Sequence, residues 1–191
     1  MQQLLERIQQ HGDQAAFREF YLLYSPQLLT FAYTYTKSKF VAEEVINDVF
    51  LSLWKNRSRL IEISNMKVYL YRGVKNGIIN YFTRNKEWQH LDIDEIADVE
   101  LKFSADPEEI LITAELRKKI ETAIASLPPR CQVVFKLIKE DGIKHKEVAE
   151  ILDISLKTVE NQMTIAIRKI NEVIQIPVGK KIVETNMKQN Q

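Results

Sequence analysis

Helix-breaking residues are scarce in this 191-residue chain, and their scarcity limits the folds that it can adopt. Only five glycines and five prolines interrupt it, and these two residues disfavour helices more than any others. Apolar residues make up 45% of the chain, which is enough for one or two buried cores. The sequence therefore predicts an all-α protein, and its length is comfortable for two small helical domains.

Helical periodicity is clearest between Asn65 and Arg84, where apolar residues recur at every third or fourth position for five turns. A preceding helix is predicted from about Val41 to Trp54. Gly12-Asp13 is predicted to be a break and a helix cap, and the capped helix follows it in the sequence. Pro26 is expected either to kink this helix or to start a new turn. Three helices are thus expected in the first half of the chain.

Charge is distributed unevenly along a chain whose net charge is only +1. Residues 55–86 hold eight basic side chains and one acidic, whereas residues 87–115 hold one basic and ten acidic. Residues 116–170 are basic again, with eleven basic and seven acidic side chains. This alternation predicts two anion-binding modules joined by an acidic connector, and chance segregation on solvated faces is the alternative.

These blocks suggest a division of the chain into domains. We expect a first helical domain at 1–86, an acidic flexible linker at 87–110, a second, four-helix domain at 111–176 and a flexible tail at 177–191. Asp106-Pro107 is a candidate cap and first residue of a helix at the start of the second module.

The segment KHKEVAEILDISLKTVENQMTIAIRKI, residues 144–170, is typical of a helix-turn-helix. Asp153 occupies the turn position at which many such motifs have glycine, and aspartate tolerates a left-handed backbone better than most residues. Ser155 is placed to cap the second helix. The first helix is expected to bury Val148, Ala149 and Leu152, and the second to bury Val159, Met163, Ala166, Ile167 and Ile170.

The opposite side of the second helix has short hydrogen-bonding groups near its start and cations towards its end. The former suit base edges in the major groove of duplex DNA and the latter suit phosphates. An ordinary solvated helix face is the alternative. The candidate DNA contacts are Ser155, Lys157, Thr158, Glu160, Asn161, Thr164, Arg168 and Lys169.

A second basic face lies opposite the apolar stripe of residues 65–84. It combines cations with amides and has no carboxylate, as phosphate tracking with base contacts requires. A merely solvated face would normally mix both signs of charge. Gly73 and Gly77, one turn apart, are interpreted as sites of close helix packing. The polar residues of this face are Lys67, Arg72, Lys75, Asn76, Asn80, Thr83 and Arg84, and the preceding loop adds Lys55, Arg57 and Arg59.

The helix at 41–54 has an acidic, polar face that suits a protein partner rather than DNA. The face consists of Glu43, Glu44, Asn47 and Asp48 and ends in an apolar group that includes Leu51. Trp54 is interpreted as a core residue rather than an interface residue.

Several classes of function lack the residues that they require. Cys131 is the only cysteine, and His11, His90 and His145 are far apart, so no metal site is expected. No glycine-rich phosphate loop or nucleophile–base pair is present, so we expect no enzyme activity, cofactor or small-molecule substrate. The absence of a signal sequence and of a long apolar run leads us to expect a cytoplasmic protein.

Taken in order, these segments resemble the extracytoplasmic-function (ECF) sigma factors of bacterial RNA polymerase, a group of the sigma-70 family. The resemblance spans roughly residues 10–172. A helix-turn-helix alone is common to many regulators, and its pairing with two earlier segments is much more specific. The segments that carry the resemblance are GDQAAFREFYLLY, VAEEVINDVFLSLW, VYLYRGVKNGIINYFTRN and the stretch from SLPPRCQVVF through the helix-turn-helix.

The resemblance implies a sigma factor that binds core RNA polymerase, directs it to promoters and helps to melt the −10 region. The loop at about Arg59–Asn65 would hold a base flipped from the non-template strand, the helix-turn-helix would bind the −35 element, and the acidic linker would thread towards the polymerase active-site channel. An anti-sigma factor, often membrane-anchored, is an implied partner. The implied polymerase contacts are Glu44, Asn47, Asp48 and Leu51, and the implied −10 contacts are Arg59, Arg72, Lys75, Asn76, Asn80 and Arg84.

Two positions depart from the family pattern, and other functions remain open at this point. Family members often have a basic residue where Glu160 stands, and several have aspartate where Asn80 stands. The −35 sequence read is therefore expected to be unusual, and the choice of base at the −10 element stays open. The main alternative function is a dimeric helix-turn-helix regulator that acts without being a polymerase subunit, and a structural helical adaptor is a third.

Overall fold

The computed structural model describes residues 1–84 and 114–174 of the chain. Within these two ranges every regular element is helical, which confirms the predicted all-α fold. The predicted linker at 87–110, the helix start at Asp106-Pro107 and the tail at 177–191 lie outside the described residues. The N-terminal part contains α1 (Gln2–His11), α2 (Gln14–Thr36), α3 (Lys39–Lys55), a 3₁₀ helix (Arg57–Glu62) and α4 (Met66–Arg84). The C-terminal part contains α5 (Ala114–Ala125), α6 (Pro129–Lys139), α7 (His145–Leu152) and α8 (Leu156–Ile174).

The predicted break at Gly12-Asp13 is confirmed. Gly12 adopts a left-handed conformation with φ 57° and ends α1. The Asp13 side chain then caps α2 by accepting the backbone N–H of Ala16 at 3.0 Å. The helix continues through Pro26 to Thr36, so this proline does not start a new element.

Sequence analysis did not predict α1. It buries Leu5 and Ile8, whose spacing of three residues places them on one helix face. Its Gln9 side chain accepts the backbone N–H of Ile61 at 2.9 Å and so links α1 to the 3₁₀ helix. The apolar signal was present in the sequence, but it covers too few turns to stand out.

Close packing of α3 against α4 confirms the interpretation of the two glycines. A Cβ atom at Gly77 would lie 2.8 Å from Cγ1 of Val45, and one at Gly73 would lie 3.2 Å from Cγ1 of Val49. Both distances are shorter than an ordinary carbon–carbon contact. The absence of a side chain at Gly77 is therefore what allows the two helices to lie so close together.

Aromatic side chains fill the space between α2 and α3. The Trp54 ring is partly buried and lies 4.8 Å from the Phe17 ring, between centroids. The guanidinium carbon of Arg57 lies 4.8 Å from the Trp54 ring on another side. These contacts support the interpretation of Trp54 as part of the core.

Helices α5, α6 and α8 of the C-terminal part enclose a small core of their own. Its breaks are those expected from the sequence, since Pro128-Pro129 separates α5 from α6 and Gly142, with φ 64°, follows α6. The core is composed of Ala123, Ile124, Leu127, Cys131, Ala166 and Ile170.

The two parts of the chain also share a core. One continuous cluster of buried residues extends from Phe31 on α2 and Ile78 on α4 to Val133 on α6 and Ile151 on α7. The C-terminal part thus packs directly against the N-terminal part, although the sequence suggested separate modules. None of the helices in the described ranges is long and apolar enough to cross a membrane.

Candidate nucleic-acid interface

A groove of about 790 Å³ runs between α3 and α4. One wall is α4, which contributes predicted −10 contacts, and the opposite wall is α3, which contributes two predicted polymerase contacts. The structure thus brings two predicted sets of residues to one place. The groove is lined by Arg72, Asn76, Asn80 and Arg84 from α4 and by Glu44 and Asp48 from α3.

The charges of the groove are separated by wall. The charged side chains that α4 itself contributes are cations, whereas Glu44, Asp48 and Glu62 place carboxylates on the other side. One further carboxylate, Glu150 of α7, lines the groove next to Arg72, with which it pairs at 3.2 Å. A polyanion is therefore attracted to α4 and repelled by α3. This arrangement orients a nucleic-acid strand along α4.

The loop predicted at Arg59–Asn65 is partly a 3₁₀ helix. Arg59 is exposed, bonded to Glu62 at 3.0 Å, and is not among the residues that line the groove. Residues 62–65 do line it, and Asn65 also accepts the backbone N–H of Val68 at 3.1 Å, which fixes the start of α4. A helix cap thus contributes to the groove lining, and Arg59 lies beside the lining residue Glu62 without lining the groove itself.

On α3 the predicted polymerase-docking face is exposed. Asn47 accepts a hydrogen bond from the Tyr21 hydroxyl at 3.3 Å, which orients its amide. Leu51 is 49% exposed. Sequence analysis missed Phe40, which is 73% exposed and lies seven residues before Asn47, on the same side of the helix. The spacing 40, 44, 47, 51 was the signal that could have revealed it.

The helix-turn-helix has the predicted geometry. Asp153 ends α7 in a left-handed conformation with φ 59°. Ser155 caps α8, because its Oγ accepts the backbone N–H of Thr158 at 3.0 Å. Val159, the predicted anchor of the second helix, is fully buried, and Ala149 lies partly buried at the helix contact.

Most predicted duplex contacts on α8 are exposed. Thr158 and Lys169 are partly buried, and Thr158 lines an apolar cavity described below. Lys157 and Glu160 face each other at 3.7 Å, so this acidic residue is partly neutralised by its neighbour. The exposed members of the predicted set are Ser155, Lys157, Glu160, Asn161, Thr164 and Arg168.

The expectation that Ile167 points inward was wrong. Its side chain is 46% exposed. The buried stripe of α8 follows positions 159, 163, 166 and 170, and α5, α6 and α7 pack against α8. Ile167 lies beside the stripe, and no described helix covers it.

Two predicted −10 residues of α4 contact α7. Arg72 pairs with Glu150 of α7 at 3.2 Å. Lys75 donates to the backbone carbonyl of Leu152, the last residue of α7, at 2.9 Å. Burial lowers the pKa of Lys75 below its usual value, although the nearby charge of Asp153 opposes this effect. Asn76, Asn80 and Arg84 have exposed side chains along the same groove.

The geometry therefore shows a helical protein with two candidate surfaces for DNA. One is the groove along α4, whose cations and amides face an acidic helix, and the other is the exposed face of a helix-turn-helix. Two family models match the chain. The family model for sigma-70 region 2 matches residues 20–87, and the model for sigma-70 region 4 matches residues 117–170.

Curated relatives match the chain over most of its length. The ECF RNA polymerase sigma-E factor of Escherichia coli K12 is 28% identical over 181 residues, covering 91% of this chain and 94% of its own. The ECF RNA polymerase sigma factor SigW of Bacillus subtilis is 27% identical over 160 residues, covering 80% and 85%. The chain belongs to the sigma-70 family of RNA polymerase sigma factors, in its ECF group, and functions in promoter-directed transcription initiation.

Solved structures show the same fold. The sigma factor RpoE of Bartonella quintana, in complex with the anti-sigma factor NepR, superposes with a TM-score of 0.57 at 19% identity, covering 84% of this chain and 97% of its own. CnrH in complex with the cytosolic domain of CnrY gives 0.53 at 18% identity, covering 90% and 95%. A free-standing dimeric regulator, the main alternative, leaves the region-2 match and the α3–α4 groove without a role.

Proposed function

We propose that this sigma factor uses three surfaces in turn: the exposed face of α3 for core RNA polymerase, the α4 wall of the groove for the −10 element, and the exposed face of α8 for the −35 element. The observation that carries the proposal is the meeting of an acidic helix and a basic helix in one groove. In the same scheme residues 1–86 form the polymerase and −10 domain and residues 111–176 the −35 domain, with 87–110 as connector.

We assign polymerase binding to four residues of α3, namely Glu44, Asn47, Asp48 and Leu51. Their side chains are exposed on α3 and combine carboxylates with an apolar residue. A basic helical surface on the polymerase fits this chemistry, because opposite charges steer the encounter and apolar contacts hold it.

We assign melting of the −10 region to residues along α4 and the groove between α3 and α4. A protein without an ATP-driven motor favours open DNA by binding the extruded base, since unstacking costs a few kcal/mol per base. Cations at Arg72, Lys75 and Arg84 hold the backbone, and Asn76 and Asn80 present amides to bases. Residues 62–65, which line the groove, are placed to receive a flipped base. Arg59 remains a proposed contact from outside the groove.

We assign recognition of the −35 element, as duplex DNA, to α8. Asn161 is exposed in the second turn after the Ser155 cap, the part of a recognition helix that reaches base edges. Arg168 and Lys169, farther along, suit phosphates. Glu160 accepts hydrogen bonds, so a cytosine amino group is its matching base contact.

An anti-sigma factor is a further proposed partner, and its membrane anchoring is part of the same proposal. The two solved structures that share the fold were both determined with inhibitory or cytosolic partner chains, namely NepR and the CnrY domain. We also propose that the protein acts in the cytoplasm as a non-enzymatic factor, because the polymerase supplies the catalysis.

Gel filtration with core RNA polymerase that lacks any sigma factor tests the central proposal. Co-elution at one-to-one stoichiometry is expected. A chain that stays in its own peak, with no inhibitor bound, would contradict polymerase binding.

Two substitutions test the assignment of surfaces. Asp48→Lys is expected to weaken polymerase binding while the fold persists, whereas Glu19→Lys, the same charge reversal on an exposed residue of α2, is the matched control. Asn161→Ala is expected to change the preferred upstream sequence in a promoter library, with Asn171→Ala, later on α8, as control. Equal behaviour of variant and control in either pair removes that assignment.

A further inference from the structure

A cavity of about 310 Å³ lies where the C-terminal part packs against α4. One wall is a single face of α4, on which Lys75, Ile78 and Phe82 follow one another at intervals of three and four residues. The opposite wall is formed by α6, by the turn of the helix-turn-helix and by the start of α8. The two parts of the chain therefore build this cavity together.

The size of the cavity is that of a small-molecule site. Protein interiors contain few voids larger than a water molecule, whereas this one has the volume of about ten waters in the liquid, at about 30 Å³ each. Ligand pockets in proteins begin at about 300 Å³. The cavity therefore fits a ligand of about ten non-hydrogen atoms.

Apolar side chains form most of the lining, and they favour an aliphatic ligand over water. They include Ile78 and Phe82 of α4 and Val134, Leu152 and Ile154 of the C-terminal part. A water molecule inside a protein makes about three hydrogen bonds, and these side chains offer none. Each methylene group of a ligand that moves from water into such surroundings raises its affinity about four-fold.

Three charged side chains also line the cavity, namely Lys75, Arg130 and Asp153. The ammonium of Lys75 donates to the carbonyl of Leu152 at 2.9 Å. Burial lowers the pKa of Lys75, and the carboxylate of Asp153 lies near enough to oppose this effect. Lys75 and Asp153 therefore offset each other, and Arg130 gives the lining one net positive charge. This balance favours a ligand with a single negative charge.

Arg130 and Tyr35 form a polar corner of the cavity. Burial raises the pKa of the Tyr35 hydroxyl, and the positive charge of Arg130 is near enough to oppose this effect. Arg130 stands in the first turn of α6, where the helix dipole adds positive potential. Its side chain is exposed, so the corner is open to solvent. A guanidinium has five N–H donors and can bind an anion in addition to its contacts within the chain.

We propose that the cavity binds a medium-chain aliphatic monoanion, such as a fatty acid of about eight carbons, with its carboxylate at Arg130 and Tyr35 and its chain between α4 and the helix-turn-helix. Because the ligand contacts both parts of the chain, it stabilises their packing. Lys75 and Thr158, which the proposed function assigns to the −10 and −35 elements, also line the cavity, so the ligand lies beside both surfaces. The inference does not rest on that function, and its failure would leave the function unaffected.

The probe is sodium octanoate, titrated into the full-length protein and followed by isothermal titration calorimetry. We expect one site with a dissociation constant below about 1 mM. Butanoate, which has four fewer methylene groups, should bind at least about ten-fold more weakly. Octylammonium, which has the same chain and a positive head group, should also bind at least about ten-fold more weakly. Octanoate should raise the melting temperature of the protein by several degrees, whereas a detergent effect would lower it.

Two pairs of variants locate the ligand. Ile154→Trp fills the cavity with a larger side chain and should weaken octanoate binding at least about ten-fold. Ile138→Trp makes the same enlargement at a partly buried residue of α6 that is not among those lining the cavity, and it should leave binding unchanged. Arg130→Gln should weaken octanoate about ten-fold without affecting 1-octanol, which has no charge, and Lys139→Gln, at another exposed cation of α6, is its control.

Several outcomes would overturn the inference. One is equal octanoate binding by Ile154→Trp and Ile138→Trp, because the ligand would then lie elsewhere. Another is equal binding of octanoate and octylammonium, because the head group would then have no cationic partner. The absence of both binding heat and a rise in melting temperature at about 10 mM octanoate is a third. If Ile154→Trp fails to fold, as circular dichroism would show, the chain-length and head-group comparisons on the wild type decide the question without it.

Discussion

Replacing Gly77 by alanine tests the close approach of α3 and α4, which shapes the groove. The new Cβ would lie 2.8 Å from Cγ1 of Val45, whereas carbon atoms pack best at about 3.5–4.0 Å. Val45 is only 4% exposed, so its side chain cannot turn into solvent. The helices must therefore separate or Val45 must leave its preferred rotamer.

Two opposing effects set the magnitude of the change in stability. Overpacking of a core typically costs about 1–3 kcal/mol, and alanine gains about 1 kcal/mol over glycine within a helix. The net expectation is a loss of about 1 kcal/mol of unfolding free energy. Gly73→Ala is the matched control, because its Cβ would lie 3.2 Å from Val49, which is only partly buried. It should be neutral or slightly stabilising.

Urea unfolding followed by circular dichroism measures both variants, and a second substitution identifies the cause. Val45→Ala removes the methyl group that Gly77→Ala contacts, so in the double variant the two substitutions should cost less than the sum of their separate effects, by about 1 kcal/mol or more. A Gly77→Ala protein as stable as Gly73→Ala, with no such coupling to Val45, would refute the reasoning.

Three further predictions concern titratable groups. Lys136 is buried and has no hydrogen-bond partner among the described residues, and burial lowers its pKa from 10.5 to about 8 despite Glu140 and Asp141 nearby. Between these two pKa values the unfolded chain binds more protons than the folded protein, so the free energy of unfolding should rise with pH by up to about 1.4 kcal/mol per pH unit. The variant Lys136→Met should be more stable than the wild type at neutral pH, and its urea unfolding should lack this rise with pH. Asp13→Ala should lower the melting temperature, because the cap of α2 and the ion pair with Arg7 are lost. Both contacts hold the pKa of Asp13 below its usual value, so in the wild type their stabilisation is lost as the pH falls. An unchanged melting temperature of the variant would contradict the assigned role of Asp13. Burial raises the pKa of the Cys131 thiol, so iodoacetamide should label it slowly in the folded protein and quickly in urea, as mass spectrometry can show.

Local features of the fold could be predicted because short-range chemistry decides them. The caps at Asp13 and Ser155 follow from side chains that accept N–H groups two or three residues ahead. The left-handed turn at Asp153 follows from the same local rules. The buried stripe of α8 was predicted except at Ile167, because periodicity locates the centre of a stripe better than its edge.

The candidate site was predicted only in part. Arg72, Asn76, Asn80 and Arg84 were assigned to one helix face, and the structure places them along one groove. That Glu44 and Asp48 form the opposite wall could not be read from periodicity, which says nothing about which helix faces which. Arg59 was grouped with them by nearness in sequence, yet it does not line the groove, although it pairs with the lining residue Glu62.

Apart from α1, the sequence by itself determined the helices, the caps at Asp13 and Ser155, the helix-turn-helix and the sign of charge on the predicted exposed faces. These properties depend on neighbours within a few residues, which the chain specifies directly. Only the tertiary structure decided that α7 lies on α4, with Glu147 and Glu150 meeting Asn65 and Arg72. Those partners are 82 and 78 residues apart, and pairing at such separation depends on the shape and burial of the whole assembled surface, which no local pattern encodes.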